Sequence, residues 1–179
     1  MNHDGWLAAL LDLVPSAAGD PLKIIVLGAD DSGLTDALLT RFPSATVTLL
    51  EHTDAARVAA AQQLAAFGDR LRIVSFDLSS LEWWDRMFGA DLVVSALHVG
   101  TLNDAKKQYL YRAAADRLST RGALLLADAL EPGQLLHHLV WLRHAGFALV
   151  DCFWRDGALA VFGGFKQASA SAPPPRAGN

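Results

Sequence analysis

The stretch IIVLGADDSGLTDAL, Ile24–Leu38, decides how the rest of the chain is read. Four apolar residues reach Gly28, the chain passes through small and acidic residues, and helix-forming residues follow. A second apolar run then ends on Glu51. Strand, glycine turn, helix and a strand ending in an acid make the opening of a nucleotide-binding βαβ unit. Backbone amides of the turn and the helix start can face a polar or anionic ligand. The Glu51 carboxylate can accept both hydroxyls of a ribose. Together these features ask for a ligand that carries an adenosine.

Outward from this unit, apolar runs and amphipathic stretches alternate. Trp6, Leu7, Leu10, Leu11 and Val14 recur at helical spacing before Pro15, which predicts a short N-terminal helix within residues 1–15. Strands are expected at 23–27, 45–50, 71–76, 91–96 and 123–127. The helices between and after them are expected at 33–41, 54–67, 80–88, 103–118 and 132–145, with Arg121-Gly122 closing the fourth of these. The rhythm changes after Gly146. Two β-type runs, 147–154 and 158–165, are separated only by Arg155-Asp156-Gly157. So short a connection forces an antiparallel hairpin. The expectation is an α/β fold, doubly wound. Its mixed seven-stranded sheet has five parallel βα units and then an antiparallel terminal hairpin. Residues 1–166 form one domain in this reading. Residues 167–179, rich in Ala, Ser and Pro, form a disordered tail.

Composition excludes several classes. The net charge is −4 and no basic run occurs, which argues against general nucleic-acid binding. The single cysteine, Cys152, excludes an internal disulfide and a Cys-based zinc cluster. No apolar run is long enough for a membrane span, and the acidic N-terminus lacks the basic region of a signal peptide. A cytoplasmic location is the matching expectation.

Several pieces, in order, resemble class I S-adenosylmethionine-dependent methyltransferases. KIIVLGADDSGLT (23–35) sits where that family has its glycine-rich first motif, and LLEHT (49–53) at the acidic end of its second strand. FDL (76–78) sits at its adenine-contacting position. DLVVSALHVGTLND (91–104) is similar to its fourth-strand motif, and RGALLLAD (121–128) with LRHAGFALVDCFWRDGALAVFGGFK (142–166) to its ending. The resemblance covers nearly all of the expected domain and implies a Rossmann-like methyltransferase fold. It implies S-adenosylmethionine or S-adenosylhomocysteine as cofactor, and methyl transfer to an unidentified acceptor. The cofactor residues it implies are Gly28, Ala29, Asp30, Gly33, Glu51, His52, Asp77, Leu78, Ser95 and Leu97, with the acceptor near His98 and Tyr109.

Two departures stand out. The family's first motif reads Gly-x-Gly-x-Gly, whereas Asp30 and Ser32 occupy the second and third positions here, and Gly33 lies one residue further on. The segment that roofs the substrate in small-molecule enzymes is also missing, since Asp128 and Pro132 are nearly adjacent. A lid is then expected from a large substrate, another copy of the chain or a partner subunit. The rival expectation is a catalytically inactive binding or scaffolding subunit of the same fold. A nicotinamide-dependent oxidoreductase is a third, but no Tyr/Lys pair of the reductase type is visible.

Individual residues keep alternatives. Asp30 either holds an ammonium or bonds its own turn, and Asp77 either meets an adenine amino group or caps the helix near Ser79. His98 serves as a general base near pH 7, orients a substrate, or caps the helix starting near Asn103. His137, His138 and His144 share one late helix without a metal-ligand pattern and read as surface or packing residues, so no metal is expected. Cys152 reads as buried and inert.

Overall fold

The computed structural model describes residues 3–17, 19–28, 32–76 and 88–167. Nearly all of the expected helix at 80–88 and of the tail at 167–179 lies outside that range, as do Trp83 and Trp84. In chain order the helices are α1 (His3–Asp12), α2 (Ser32–Arg41), α3 (Asp54–Gln63), α4 (Asp104–Arg117) and α5 (Gln134–His144). The strands are β1 (Lys23–Leu27), β2 (Thr46–Glu51), β3 (Leu71–Ser75), β4 (Ala90–Ala96), β5 (Leu118–Ala129), β6 (Leu149–Asp156) and β7 (Leu159–Phe165). They form one seven-stranded sheet in the order β3-β2-β1-β4-β5-β7-β6. The first five strands pair in parallel, and β7 runs antiparallel to both β5 and β6. The expected layout is therefore the observed one.

Successive side chains of a strand face opposite sides of its sheet, and two cores result. Ile25, Leu27, Leu50, Val93 and Leu124 pack with Leu110 and Tyr111 of α4 and Leu142 of α5. Ile24, Val26, Leu49, Leu92 and Leu125 pack on the other side with Trp6 and Leu10 of α1 and Leu34, Leu38 and Leu39 of α2. The α1 stripe is thus buried, not offered as a contact surface. An uninterrupted apolar β1 is what a strand covered on both faces requires.

Boundaries differ from expectation where side chains intervene. Thr53 caps α3 by accepting from the Ala56 N–H at 3.1 Å, but α3 stops at Gln63 instead of Phe67. A tight turn over 65–70 follows, in which Gly68 takes φ 53°. Arg121-Gly122 does not close α4. The helix ends at Arg117, and β5 begins at once, with Leu118 opposite Ala90 and Ala123 opposite Leu92. Residues 119–122 form the bulge between those two pairings. Ser119 Oγ donates to Asp91 Oδ1 at 2.9 Å, drawing the bulge onto β4. The Gly163-Gly164 pair of β7 is a close-approach device. A Cβ on Gly163 would lie 2.1 Å from the Leu124 carbonyl oxygen, and one on Gly164 would lie 2.6 Å from Phe147 Cβ.

One of the late histidines is core. His138 is 1% exposed, lies edge-on to Phe162 and bonds through Nδ1 to Tyr111 Oη at 2.5 Å. Burial lowers its pKa from 6.5 to about 4, with the Lys107 charge acting in the same direction. The native state thus binds fewer protons than the unfolded chain between those values, so stability falls as pH drops from about 6.5 to about 4. The loss reaches about 3 kcal/mol at most. Urea midpoints at pH 7, 5 and 4 should show this slope, and His138→Gln should flatten it relative to the parent. Equal slopes in the two proteins would remove His138 as its source.

Candidate functional site

In an open α/β sheet the ligand crevice lies beyond the carboxyl ends of the strands, where the chain's winding reverses. Here β1 has β2 on one side and β4 on the other, so the crevice opens above β1 and β4. Gly28 follows β1 directly and takes φ 61°, a left-handed value that favours glycine. Its N–H donates to the Leu50 carbonyl at 2.9 Å, which brings the turn beside the end of β2. Glu51 ends β2 at 2% exposure. Its carbonyl accepts from the Phe76 N–H at 3.1 Å, which ties the exit of β3 to the same edge. His52 is exposed, with Nδ1 3.4 Å from the Phe76 carbonyl oxygen. Gly28, Glu51 and His52 therefore stand along one sheet edge, as the βαβ reading requires.

The end of β4 supplies the opposite wall. Ser95 is buried, and its hydroxyl donates to the Leu27 carbonyl at 2.9 Å, binding β4 to β1. Leu97 has φ 60° and is 53% exposed. A left-handed non-glycine residue costs about 1–2 kcal/mol, and burial of its side chain does not offset that here. Its N–H is held by the Ala127 carbonyl at 2.8 Å.

His98 comes next, and its ring lies on Gly28. A Cβ added to Gly28 would meet Cδ2 at 2.4 Å and Nε2 at 2.6 Å. Nδ1 is 3.2 Å from the Ala96 carbonyl oxygen. Since a carbonyl only accepts, Nδ1 carries the hydrogen, and Nε2 is the nitrogen turned to the Gly28 side. The helix-capping alternative for His98 does not hold, because Asn103 caps α4 by accepting from the Lys106 N–H at 3.0 Å.

Beneath this turn lies a polar group that the sequence did not point to. Asp128, on β5, is 5% exposed. Its carboxylate accepts from the Gly100 N–H at 2.5 Å and the Ala129 N–H at 3.0 Å. Burial raises its pKa, against the opposing effects of those two bonds and of the Lys107 and His98 charges. Lys107 is 5% exposed on α4. Its place three residues before Leu110 and four before Tyr111 puts it on the helix's buried stripe. Asp128 could have been noticed as a second acid ending an apolar strand, in the manner of Glu51.

The remaining expected residues are dispersed. Gly33 is exposed in the first turn of α2. Tyr109 is 38% exposed in α4, and its neighbour Tyr111 is the buried tyrosine. Ala29, Asp30, Asp77 and Leu78 lie outside the described residues. Cys152 is half-buried, and burial raises its thiol pKa, in keeping with an inert role. Among the described residues no group of three or more His, Cys, Asp or Glu side chains could hold a metal ion. No helix among them is long and apolar enough to cross a membrane.

No protein-family model matches this sequence, and no curated protein is similar to it by sequence. Solved structures are similar to it in fold. The apo S-adenosylmethionine-dependent methyltransferase SibL superposes with a TM-score of 0.70 at 19% identity, over 91% of this chain and 56% of its own. Precorrin-6y C5,15-methyltransferase from Geobacter metallireducens gives 0.70 at 16% identity, over 90% of this chain and 87% of its own. Human N-acetylserotonin methyltransferase in complex with SAM gives 0.66 at 15% identity, over 90% and 52%. The chain thus spans little more than half the length of the first and third. At these identities the likeness is one of fold: this is the class I S-adenosylmethionine-dependent methyltransferase fold.

Proposed function

We propose that the chain binds S-adenosylmethionine and transfers its methyl group to an acceptor whose class is still open. The observation that carries the reading is the pairing of a left-handed glycine turn after β1 with a buried carboxylate ending β2, in a fold shared with a methyltransferase solved with SAM. The residues suit that group at its adenosine end. Glu51 would accept from the ribose hydroxyls, and the Gly28 turn would pass beside it without a side chain. Thr35, in the first turn of α2, adds a fully buried hydroxyl with no hydrogen-bond partner. Ala29, Asp30, Gly33, His52, Asp77, Leu78, Ser95 and Leu97 complete the proposed cofactor set.

The cofactor, when bound, supplies an electrophilic methyl group on a sulfonium. The chain's own part is to hold the acceptor in line, keep water out and take the acceptor's proton. His98 is the residue proposed to take it. With Nδ1 donating to the Ala96 carbonyl, Nε2 is the ring nitrogen that would accept the proton as the acceptor's oxygen, nitrogen or carbon gains the methyl group. Tyr109, exposed on α4, is proposed to border the acceptor. A large substrate, another copy of the chain or a partner subunit would then complete the roof. A cytoplasmic location goes with this reading.

Titration calorimetry with S-adenosylhomocysteine tests the proposal. Saturable binding with one site per chain is expected, together with an upward shift in Tm. No heat and no shift at millimolar ligand would leave the inactive binding or scaffolding subunit as the better reading.

A further inference from the structure

Lys107 is a buried charge that the proposed reaction leaves unused. It is the fourth residue of α4, which follows β4 after a short turn, so it stands at the carboxyl ends of β4 and β5. It is 5% exposed, and among the described residues no other Lys or Arg is buried. Its charge acts on Asp128 at the end of β5 and on His138 in α5, so the ammonium stands where those two elements meet. A lysine ammonium carries three donors and no acceptor. Among the described residues this one makes no hydrogen bond and no ion pair.

The neighbouring groups are committed elsewhere. The two oxygens of Asp128 receive the Gly100 and Ala129 N–H groups. His138 bonds through Nδ1 to Tyr111 Oη, and burial keeps its ring uncharged at neutral pH. Asp104, three residues before Lys107, is exposed, where water and salt screen its charge. Taking a charge out of water is costly unless an opposite charge meets it. The chain keeps such a charge beside the turn that carries His98, at the edge where the proposed acceptor must rest.

We propose that the methyl acceptor carries a carboxylate and that Lys107 receives it. A single negative charge suits the place better than the two of a phosphate. Asp128 already contributes one carboxylate close by, and no second buried cation stands among the described residues to balance another. The inference rests on the methyl-transfer reading for the acceptor's role, but the carboxylate site itself can be tested without methyl transfer.

The test is proton–carbon NMR of the lysine ε-methylene groups in the full chain, with the Lys107 signal identified by its loss in Lys107→Arg. Lys23, Lys106 and Lys166 serve as internal references. Benzoate is the probe and benzamide its uncharged counterpart. The Lys107 signal should shift saturably with benzoate and stay in place with benzamide, while the references stay in place with both. Lys107→Met keeps the length of the side chain and removes its charge. It should weaken benzoate binding about 10- to 100-fold, read from saturation transfer to the benzoate protons. A Lys107 signal unmoved by benzoate, one moved equally by benzamide, or equal benzoate binding by folded Lys107→Met would overturn the proposal. Inorganic phosphate moving Lys107 at lower concentration than benzoate would overturn the choice of a carboxylate. If Lys107→Met does not fold, the Lys107 signal of the parent decides alone. Calorimetry with S-adenosylhomocysteine separates the two ideas. Benzoate on Lys107 without cofactor heat supports the carboxylate site and removes the methyl-transfer reading. Cofactor heat with an unmoved Lys107 signal keeps methyl transfer and removes the carboxylate site.

Discussion

Glu51→Gln should weaken S-adenosylhomocysteine binding about 10- to 100-fold. Hydrogen bonds to a charged group are worth about 1.5–3 kcal/mol, against about 1 kcal/mol for neutral ones, and each 1.4 kcal/mol is a factor of ten in affinity. Glutamine keeps one acceptor and replaces the other with a donor, so it cannot receive both ribose hydroxyls. The position magnifies the effect, because Glu51 is 2% exposed and water does not screen it. Calorimetry on parent and variant measures the change, and Tm without ligand reports any loss from the fold itself. An unchanged dissociation constant in a folded variant would mean that the ribose does not lie on β2.

Gly28→Ala should be strongly destabilising. Two costs combine. A left-handed alanine costs about 1–2 kcal/mol, and the new Cβ would sit 2.4 Å from the His98 ring, an overlap of the kind that costs about 1–3 kcal/mol in packed cores. The sum, about 2–5 kcal/mol, corresponds to roughly 5–15 °C in Tm for a chain of this size. The two parts can be separated. His98→Ala in the Gly28→Ala background removes the overlap and leaves the backbone cost, so the double variant should recover about half of the lost Tm. If His98→Ala brings no recovery, the ring does not rest on the glycine in solution.

The parts of this molecule that were legible in its sequence obey local rules. The continuous apolar run of β1, the acid closing β2 and the short connection before β7 each have one physical reading, and the sheet follows from them. The antiparallel hairpin was readable because a chain cannot cross a sheet in so few residues. The loop itself falls at Gly157-Ala158, one residue later than its Asp-Gly text suggested. The end of α4 was not readable from Arg121-Gly122, because Ser119 reaches Asp91 from another element and starts β5 early.

The site was legible in the same measure. Gly28 and Glu51 could be found because they punctuate apolar runs. What His98 does could not be, since its ring rests on Gly28 and its Nδ1 bonds to the Ala96 carbonyl. Gly28 belongs to the turn after β1, and no spacing along the chain relates it to His98.

A crystal structure of the chain with S-adenosylhomocysteine tests the central claim most directly. Adenosine should lie across the carboxyl ends of β1 and β2, with both ribose hydroxyls donating to the Glu51 carboxylate and the His98 imidazole bordering the sulfur end. A ligand bound elsewhere, or a Glu51 carboxylate turned from the ribose with the His98 ring still closing the space over Gly28, would contradict it.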